Sequence, residues 1–298
     1  IPNHTYENQK IIGNILGSLD EKIQHNKKTN GTLEGIAKAL FKSWFVDFDP
    51  VRAKAEGRST ELSDEISELF PDSFDDSELG EIPSGWRLDF LSNHLSITKG
   101  RSYKSIELQD SLNALVTLKS FQRGGGYRAD GLKPYTGIYK EDQIVLAGEL
   151  VIALTDVTRA ADVIGRPAIV RTNESYKELI ASLDVGILRM KPEGSLPKEY
   201  IFELLKTANY VSHALSYTSG TTVLHLAKGV FESFQVVIPS LDIVESFACL
   251  SKVILQKIDT NESCSKTLEK LRDTLLPKLI SGDLRVPDAE KMLEEVGI

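Results

Sequence analysis

One helix-length pattern occurs twice in this chain, with enough residues between the copies to form a separate domain. The first copy runs from Ile1 and Pro2 through ILGSLDEKIQHN (15–26) to TLEGIAKALFKSWF (32–45). The second runs from Ile238 and Pro239 through VILQKIDTNES (253–263) to TLEKLRDTLLPKLI (267–280). Ile23, Asn26, Leu33, Glu34 and Leu40 recur as Ile258, Asn261, Leu268, Glu269 and Leu275 at a constant offset of 235, while the Ile-Pro pair recurs at 237. A repeat of this length predicts two equivalent helices flanking one domain, and equivalent apolar faces tend to pair.

The spacing within each copy says how they pair. Ile12, Leu16, Leu19, Ile23, Asn26, Asn30, Leu33, Ala37, Leu40 and Trp44 follow one another at steps of four and three. That is a heptad seam, and its 33 residues predict a rod of about 48 Å at ~1.5 Å per residue. In the same frame the second copy places Phe247, Ser251, Ile254, Ile258, Asn261, Ser265, Leu268, Arg272, Leu275 and Leu279. Leu250, Val253, Leu271 and Leu276 widen its apolar face, which predicts packing on more than one neighbour. Asn26 and Asn261 sit at equivalent seam positions, so Asn26, Asn30, Asn261 and Ser265 are expected to form a polar layer that penalises other registers. The competing reading is a local break, because Asn30 and Gly31 resemble a turn. Pairing within one chain and pairing between two copies fit the pattern equally.

Beyond the rods, the segment 50–84 is acidic and rich in turn formers. Pro50 is expected to end the first helix, and Leu62, Ile66 and Leu69 mark one short amphipathic helix. From Trp86 onward, short β-branched runs alternate with glycine turns. Strands are expected within 112–121, 143–156, 163–172, 182–192 and 231–240, and 197–215 reads as a single amphipathic helix with Ile201, Leu204, Leu205, Ala208 and Val211 on one face. The expected fold class is α+β: one mixed domain flanked by two long helices that form an antiparallel coiled coil. The divisions are a first long helix over 1–49, a linker over 50–84, the mixed domain over 85–239, a second long helix over 240–282 and a short acidic tail over 283–298.

No apolar run approaches the ~18 residues of a membrane span, so no membrane partner is expected. Cys249 and Cys264 are 15 residues apart on one helix, roughly 22 Å along its axis, and do not bridge each other there. Free thiols point to a reducing, cytoplasmic setting. The net charge of −8 is uneven: residues 1–84 carry 9 Lys/Arg against 16 Asp/Glu, and 85–239 carry 18 against 16. Within the second range, Lys99, Arg101, Lys104, Lys119, Arg123, Arg128 and Lys133 face three acidic residues. Such a basic stretch on an acidic chain marks either a phosphate-facing surface or an ordinary solvated face.

Little in the sequence offers catalysis. Phosphate-binding glycine loops, the Gly-x-Ser-x-Gly elbow, metal-ligand spacings and the tetrapeptide of amino-group DNA methyltransferases are all absent from it. Thr155 and Asp156 follow a strand without a base or nucleophile beside them in sequence and read as a structural turn. What remains is polar surface suited to contact with nucleic acid. Ser219, Gly220, Thr221 and Thr222 offer hydroxyls and backbone amides, and RGGGYR (123–128) reads as a flexible loop flanked by arginines. Arg159 and Arg166 complete the candidate DNA-binding set. The aromatic cluster Trp44, Phe45 and Phe48 is read either as core packing or as a docking surface.

Several long stretches carry a family resemblance. LGSLDEKIQHNKKTNGTLEGIAKALFKSWFVDFDPVRAK closely resembles the helical region of type I restriction–modification specificity subunits, most distinctively over Leu33 to Arg52. GEIPSGWRL (80–88) resembles the entry to that family's target recognition domain, GELVIALTDVTRAADVIGRPAIV (148–170) and SGTTVLHL (219–226) its internal motifs, and LEKLRDTLLPKLISGDLRV (268–286) its closing helix. The resemblance implies a non-catalytic subunit whose recognition domain reads one half of a bipartite target in double-stranded DNA. It implies that the helices dock methyltransferase subunits, which Trp44, Phe45 and Phe48 would contact if they are a docking surface and not core, and that a restriction subunit joins for cleavage. It assigns S-adenosylmethionine, ATP and magnesium to those partners and none to this chain.

The chain departs from the family pattern in having both helical regions and only one recognition domain. Two origins are expected: the carboxy-terminal portion of a two-domain subunit, favoured by the absence of an initiator Met, or a half-subunit that forms a homodimer through its long helices. The rival to DNA recognition is a coiled-coil adaptor that binds protein, which the acidic balance favours.

Overall fold

The computed structural model describes residues 5–158, 160–194 and 196–295. In chain order the first elements are the helices α1 (Tyr6–Phe45), α2 (Asp49–Ala55) and α3 (Asp64–Leu69). The strands β1 (Phe74–Ser77), β2 (Gly80–Pro83), β3 (Arg87–Phe90), β4 (Leu95–Lys99), β5 (Asn113–Val116), β6 (Lys133–Pro134) and β7 (Ile144–Val145) follow. Next come β8 (Leu150–Ala153), β9 (Thr155–Asp156), β10 (Pro167–Ile169), β11 (Glu178–Ala181), β12 (Val185–Met190), α4 (Lys198–Leu204) and α5 (Ala208–Ser216). The chain closes with β13 (Thr218–Ser219), β14 (Leu224–Leu226), β15 (Gln235–Ile238), α6 (Leu241–Ser281) and α7 (Val286–Glu295). The fold is α+β with a long helix toward each end. Two compact units divide it, one drawing on the described residues up to Ala37 and from Ser251 onward, the other covering Lys38–Leu250.

In the first unit, α1 and α6 run antiparallel within one chain. Asn30 meets Ile258, Asn26 meets Asn261 and Ser265, and Asp20 meets Arg272, so partners descend along α6 as α1 ascends. Ile12, Ile15, Leu19 and Ile23 are buried with Leu268, Leu275 and Leu279 of α6 and Ala289 of α7. Leu16, Leu33, Leu40 and Ile254 lie at the margin of the seam, half-buried. Ile15, which the four-and-three spacing passes over, is buried. α1 passes through Asn30 and Gly31 without a break, so no turn forms there.

The four polar seam residues do form a layer, and all are buried. Asn261 Nδ2 donates to Asn30 Oδ1 at 2.8 Å, Asn26 Nδ2 to Ser265 Oγ at 3.2 Å, and Asn30 Nδ2 to the Ile258 carbonyl at 3.3 Å. Helix α6 differs from expectation on its outer side. Leu250, Val253 and Leu276 are exposed, and only Leu271 packs against the seam cluster, because the antiparallel pair buries one stripe of each helix.

In the second unit two four-stranded sheets carry the core. One has the order β10-β8-β12-β4, all neighbours antiparallel, and the other β6-β5-β11-β7, with β5 and β11 parallel. Ala114, Val116, Val151, Ala153, Ala181, Val185 and Ile187 form the apolar cluster of these strands. The expected single helix over 197–215 is two helices. Thr207 interrupts it: its hydroxyl donates to the Leu204 carbonyl and accepts from Tyr210 N, capping α5. The buried face therefore passes from Ile201, Leu204 and Leu205 to Tyr210 and Ala214, while Ala208 is exposed and Val211 half-buried.

Pro50 lies in the first turn of α2, where a missing N–H breaks no helical bond, so it opens that helix and does not end α1. The chain turns instead at Phe48, whose φ is 57°. Trp44, Phe45 and Phe48 are only 1%, 6% and 8% exposed. Phe45 packs on Tyr200 and Phe247, Trp44 on Phe70, and Phe48 on Trp86. Edge-to-face ring pairs contribute ~0.5–1.5 kcal/mol each beyond the buried area. Of the two readings of this trio, the structure shows core packing within the second unit, and the docking reading is corrected: the side chains are buried among Tyr200, Phe247, Phe70 and Trp86.

Candidate nucleic-acid interface

The strands bring most of the sequence-selected residues to one end of the second unit. β5 and β11 finish together, with Val116 opposite Ala181, and β8 and β4 finish where β12 begins, with Ala153 opposite Val185 and Lys99 opposite Gly186. The connections leaving these ends are Gly100–Arg101, Thr117–Ser120, Thr155 onward, and the tight 182–184 turn. Gly100 is needed here, since a Cβ on it would lie 2.2 Å from the Ser182 carbonyl oxygen. Its absence lets Arg101 lie directly against Ser182, and the Arg101 carbonyl accepts from Leu183 N at 2.7 Å.

Asp156 organises the next loop. Its carboxylate is fully buried and accepts from Thr158 N at 2.7 Å, Val163 N at 2.8 Å and Ile164 N at 3.2 Å. Burial pushes this carboxyl upward, but the hydrogen bonds prevail and hold it below the usual carboxylate range. Asp156 is the structural turn residue that its sequence context suggests. The loop it holds touches the glycine turn: the Asp162 carbonyl accepts from Gly124 N at 2.9 Å, and Arg123 Nε lies 3.6 Å from the Asp162 carboxylate. That glycine turn is itself ordered, with Gln122 N donating to the Gly126 carbonyl and Gly126 N to the Pro167 carbonyl. On the other side β14 pairs with β9 and β13, which places the 219–223 turn beside Asp156. Gly220 has φ +106°, and a Cβ there would lie 2.1 Å from the Val223 carbonyl oxygen, so only glycine closes this turn.

Lys99, Lys119 and Arg123 are exposed at this end, and Arg101 and Arg166 are half-buried. Arg101 Nε and Arg166 Nε are buried without a hydrogen-bond partner. Burial lowers the Arg166 pKa from its ordinary value, and the charge of Asp162 works in the opposite direction. Ser219, Gly220, Thr221 and Thr222 are exposed. Arg128 is less available, because both its Nε and Nη2 are committed to the Asp130 carboxylate, at 3.1 and 2.6 Å. Lys104 and Lys133 lie elsewhere, on the flank of the β6-β5 edge, where Lys133 Nζ is 5.8 Å from the Tyr103 ring centre. Arg159 lies outside the described residues. Sequence reasoning passed over Leu183, half-exposed at the tip of the 182–184 turn, because nothing in its context separates it from a core leucine.

Among the described residues no group of three or more His, Cys, Asp or Glu is placed to hold a metal ion. Among them, too, no helix is long and apolar enough to cross a membrane. Cys249 and Cys264 are free and exposed.

No protein-family model matches the chain. It is 27% identical over 332 aligned residues to the type I restriction enzyme HindI specificity subunit of Haemophilus influenzae, with 93% of this chain and 67% of that protein covered. It is 28% identical over 300 residues to the MjaIX specificity subunit of Methanocaldococcus jannaschii, with 97% and 61% covered. Its fold matches the crystal structure of a type I restriction–modification S subunit from M. genitalium at a TM-score of 0.58 and 14% identity, covering 92% of this chain and 61% of that one. The chain thus spans between three fifths and two thirds of the length of these relatives. The chain is similar in sequence, along nearly its whole length, to the specificity subunits of type I restriction–modification systems, and it shares the fold of one such S subunit.

Proposed function

We propose that this chain is a DNA sequence-recognition subunit of a cytoplasmic type I restriction–modification complex. In this reading the loops at the common strand end of the second unit read base edges of one half of a bipartite target. Lys99, Arg101, Lys119, Arg123 and Arg166 neutralise phosphates, and the 219–222 turn supplies hydroxyls and amides. The α1–α6 pair acts as spacer and as scaffold for methyltransferase and restriction subunits. The chain itself performs no chemistry; S-adenosylmethionine, ATP and magnesium act on the partners.

The observation that carries this reading is the convergence of five separate connections at one end, with cations and exposed polar turns side by side. Base edges are read by such precisely held polar groups, and phosphates by the cations around them. The relatives' names give the reading its class.

The test is binding of the whole chain to a random duplex across salt concentrations. Five neutralised phosphates predict a slope near −4.5 in log affinity against log salt, a loss of about 500-fold between 50 and 200 mM. A salt-independent affinity, or no binding at about 50 mM salt, would favour the protein-binding adaptor and overturn the proposal.

A further inference from the structure

The 182–184 turn is held unusually firmly for a segment that presents an apolar side chain to solvent. Leu183 N donates to the Arg101 carbonyl at 2.7 Å, and Ser182 N to the Val116 carbonyl at 3.0 Å. Leu154 N donates to the Asp184 carbonyl at 2.8 Å, and Thr155 Oγ1 to Asp184 Oδ1 at 2.8 Å. The turn is therefore tied to three separate connections of the candidate interface. Its flanking residues are fastened inward, with Ser182 fully buried and Asp184 half-buried, yet the Leu183 side chain is 50% exposed. The neighbouring Arg101 backbone brings a cation to the same place, and Lys99 is exposed one residue before Gly100.

A rigid apolar tip beside cations suits one surface in particular. In the major groove of double-stranded DNA the phosphates attract the cations, and the 5-methyl of thymine is the one apolar group on a base edge. A protein partner would instead be met by a broad apolar patch; here the exposed apolar side chains on these connections are Leu183, Val157 and Val223, one to a connection and set among polar residues.

We propose that Leu183 is a specificity-determining residue that packs on the 5-methyl of one thymine in the target. This rests on the DNA-reading function proposed above. The turn is preorganised, so the contact costs little ordering of backbone on binding. Burying one methyl accounts for about a fourfold preference for thymine over its demethylated counterpart.

The experiment uses the whole chain and a library of randomised duplexes, from which the wild type selects a motif. Each thymidine of that motif is then replaced singly by deoxyuridine, which lacks only the methyl. The wild type is expected to lose about fourfold in affinity at one position. Leu183→Ala is expected to lose nothing at that position, and Leu183→Met to keep most of the penalty. Thermal unfolding of both variants should match the wild type, as suits a half-exposed side chain. A selected motif with no thymine, or an unchanged deoxyuridine profile in Leu183→Ala, overturns this inference and leaves DNA reading standing. Selection of no motif by the wild type overturns both.

Discussion

The polar layer between α1 and α6 makes a quantitative prediction, because its members are not equivalent. Asn261 Nδ2 makes the shortest bond of the layer to a side-chain acceptor, 2.8 Å to Asn30 Oδ1, and Asn30 is only 9% exposed. Asn261→Ala removes that donor and leaves a buried amide oxygen without a partner, which costs ~1–3 kcal/mol. The shortened side chain also leaves a small void, so the total should be about 2–3 kcal/mol. Asn26 contributes longer bonds, 3.2 Å to Ser265 Oγ and 3.4 Å to the Asn261 carbonyl, and both acceptors keep a bond to each other through Ser265 Oγ at 2.8 Å. Asn26→Leu therefore loses ~1 kcal/mol of hydrogen bonding, strands little, and gains ~1.5–2 kcal/mol from apolar burial. Its net effect on stability should be within about 1 kcal/mol of zero, with register or oligomeric state loosened. Urea unfolding followed by helical circular dichroism measures both variants, and light scattering reports oligomeric state. If Asn261→Ala costs less than ~0.5 kcal/mol, as a surface change does, or if Asn26→Leu is the more damaging of the two, the layer does not work as argued.

Asp156→Ala should release the loop it caps and cost ~2–4 kcal/mol, seen as faster hydrogen exchange at the amides of Thr158, Val163 and Ile164. Since the Asp156 pKa is lowered on folding, its contribution should be complete above the ordinary value of 3.8 and fade as pH falls through its folded value. Burial lowers the pKa of His94 below its usual 6.5, against the opposing charge of Asp89. The stability of the second unit should accordingly be full above pH 6.5 and erode below it, and a urea midpoint equally pH-dependent in His94→Gln would contradict this. Inserting one heptad, ~10 Å of rise, into each of α1 and α6 should lengthen the spacer of the assembled protein's bipartite motif by about three base pairs, and an unchanged spacer would refute the spacer role.

Local pattern and tertiary context divided the legible from the illegible along physical lines. The seam was readable because Ile12, Leu19, Ile23, Ile258, Leu268, Leu275 and Leu279 recur at a period that only a paired helix buries on one side. Asn26 and Asn261 were readable as partners because the repeat places them at the same frame. Each expected strand segment holds a strand, and 143–156 holds three, β7, β8 and β9, but the sheet strands β4 and β11 lie outside every expected segment. Periodicity also ran straight through Thr207, where a side-chain cap ends one helix and starts another. Trp44, Phe45 and Phe48 look alike as a docking face and as a core until Tyr200, Phe247 and Trp86 are known to enclose them. Charge counting collected Lys99, Arg101 and Lys119 together with Lys104, Lys133 and Arg128, although the first three stand at the strand ends, the next two on a sheet flank and the last is held by Asp130.

By itself the sequence determined that two equivalent heptad helices flank a mixed domain, since a period and an offset are properties of neighbouring residues and of their order. It also placed the polar residues in the seam, Asn26 and Asn261 at the same frame, while the unbroken α1 and the bonds across the pair chose a layer over a local break. Only the tertiary structure decided that the helices pair within one chain, that the aromatic trio is core, and that the 99–101, 117–120, 155–164, 182–184 and 219–223 connections meet at one end. Those outcomes depend on which strands hydrogen-bond across long separations, and no local propensity carries that information.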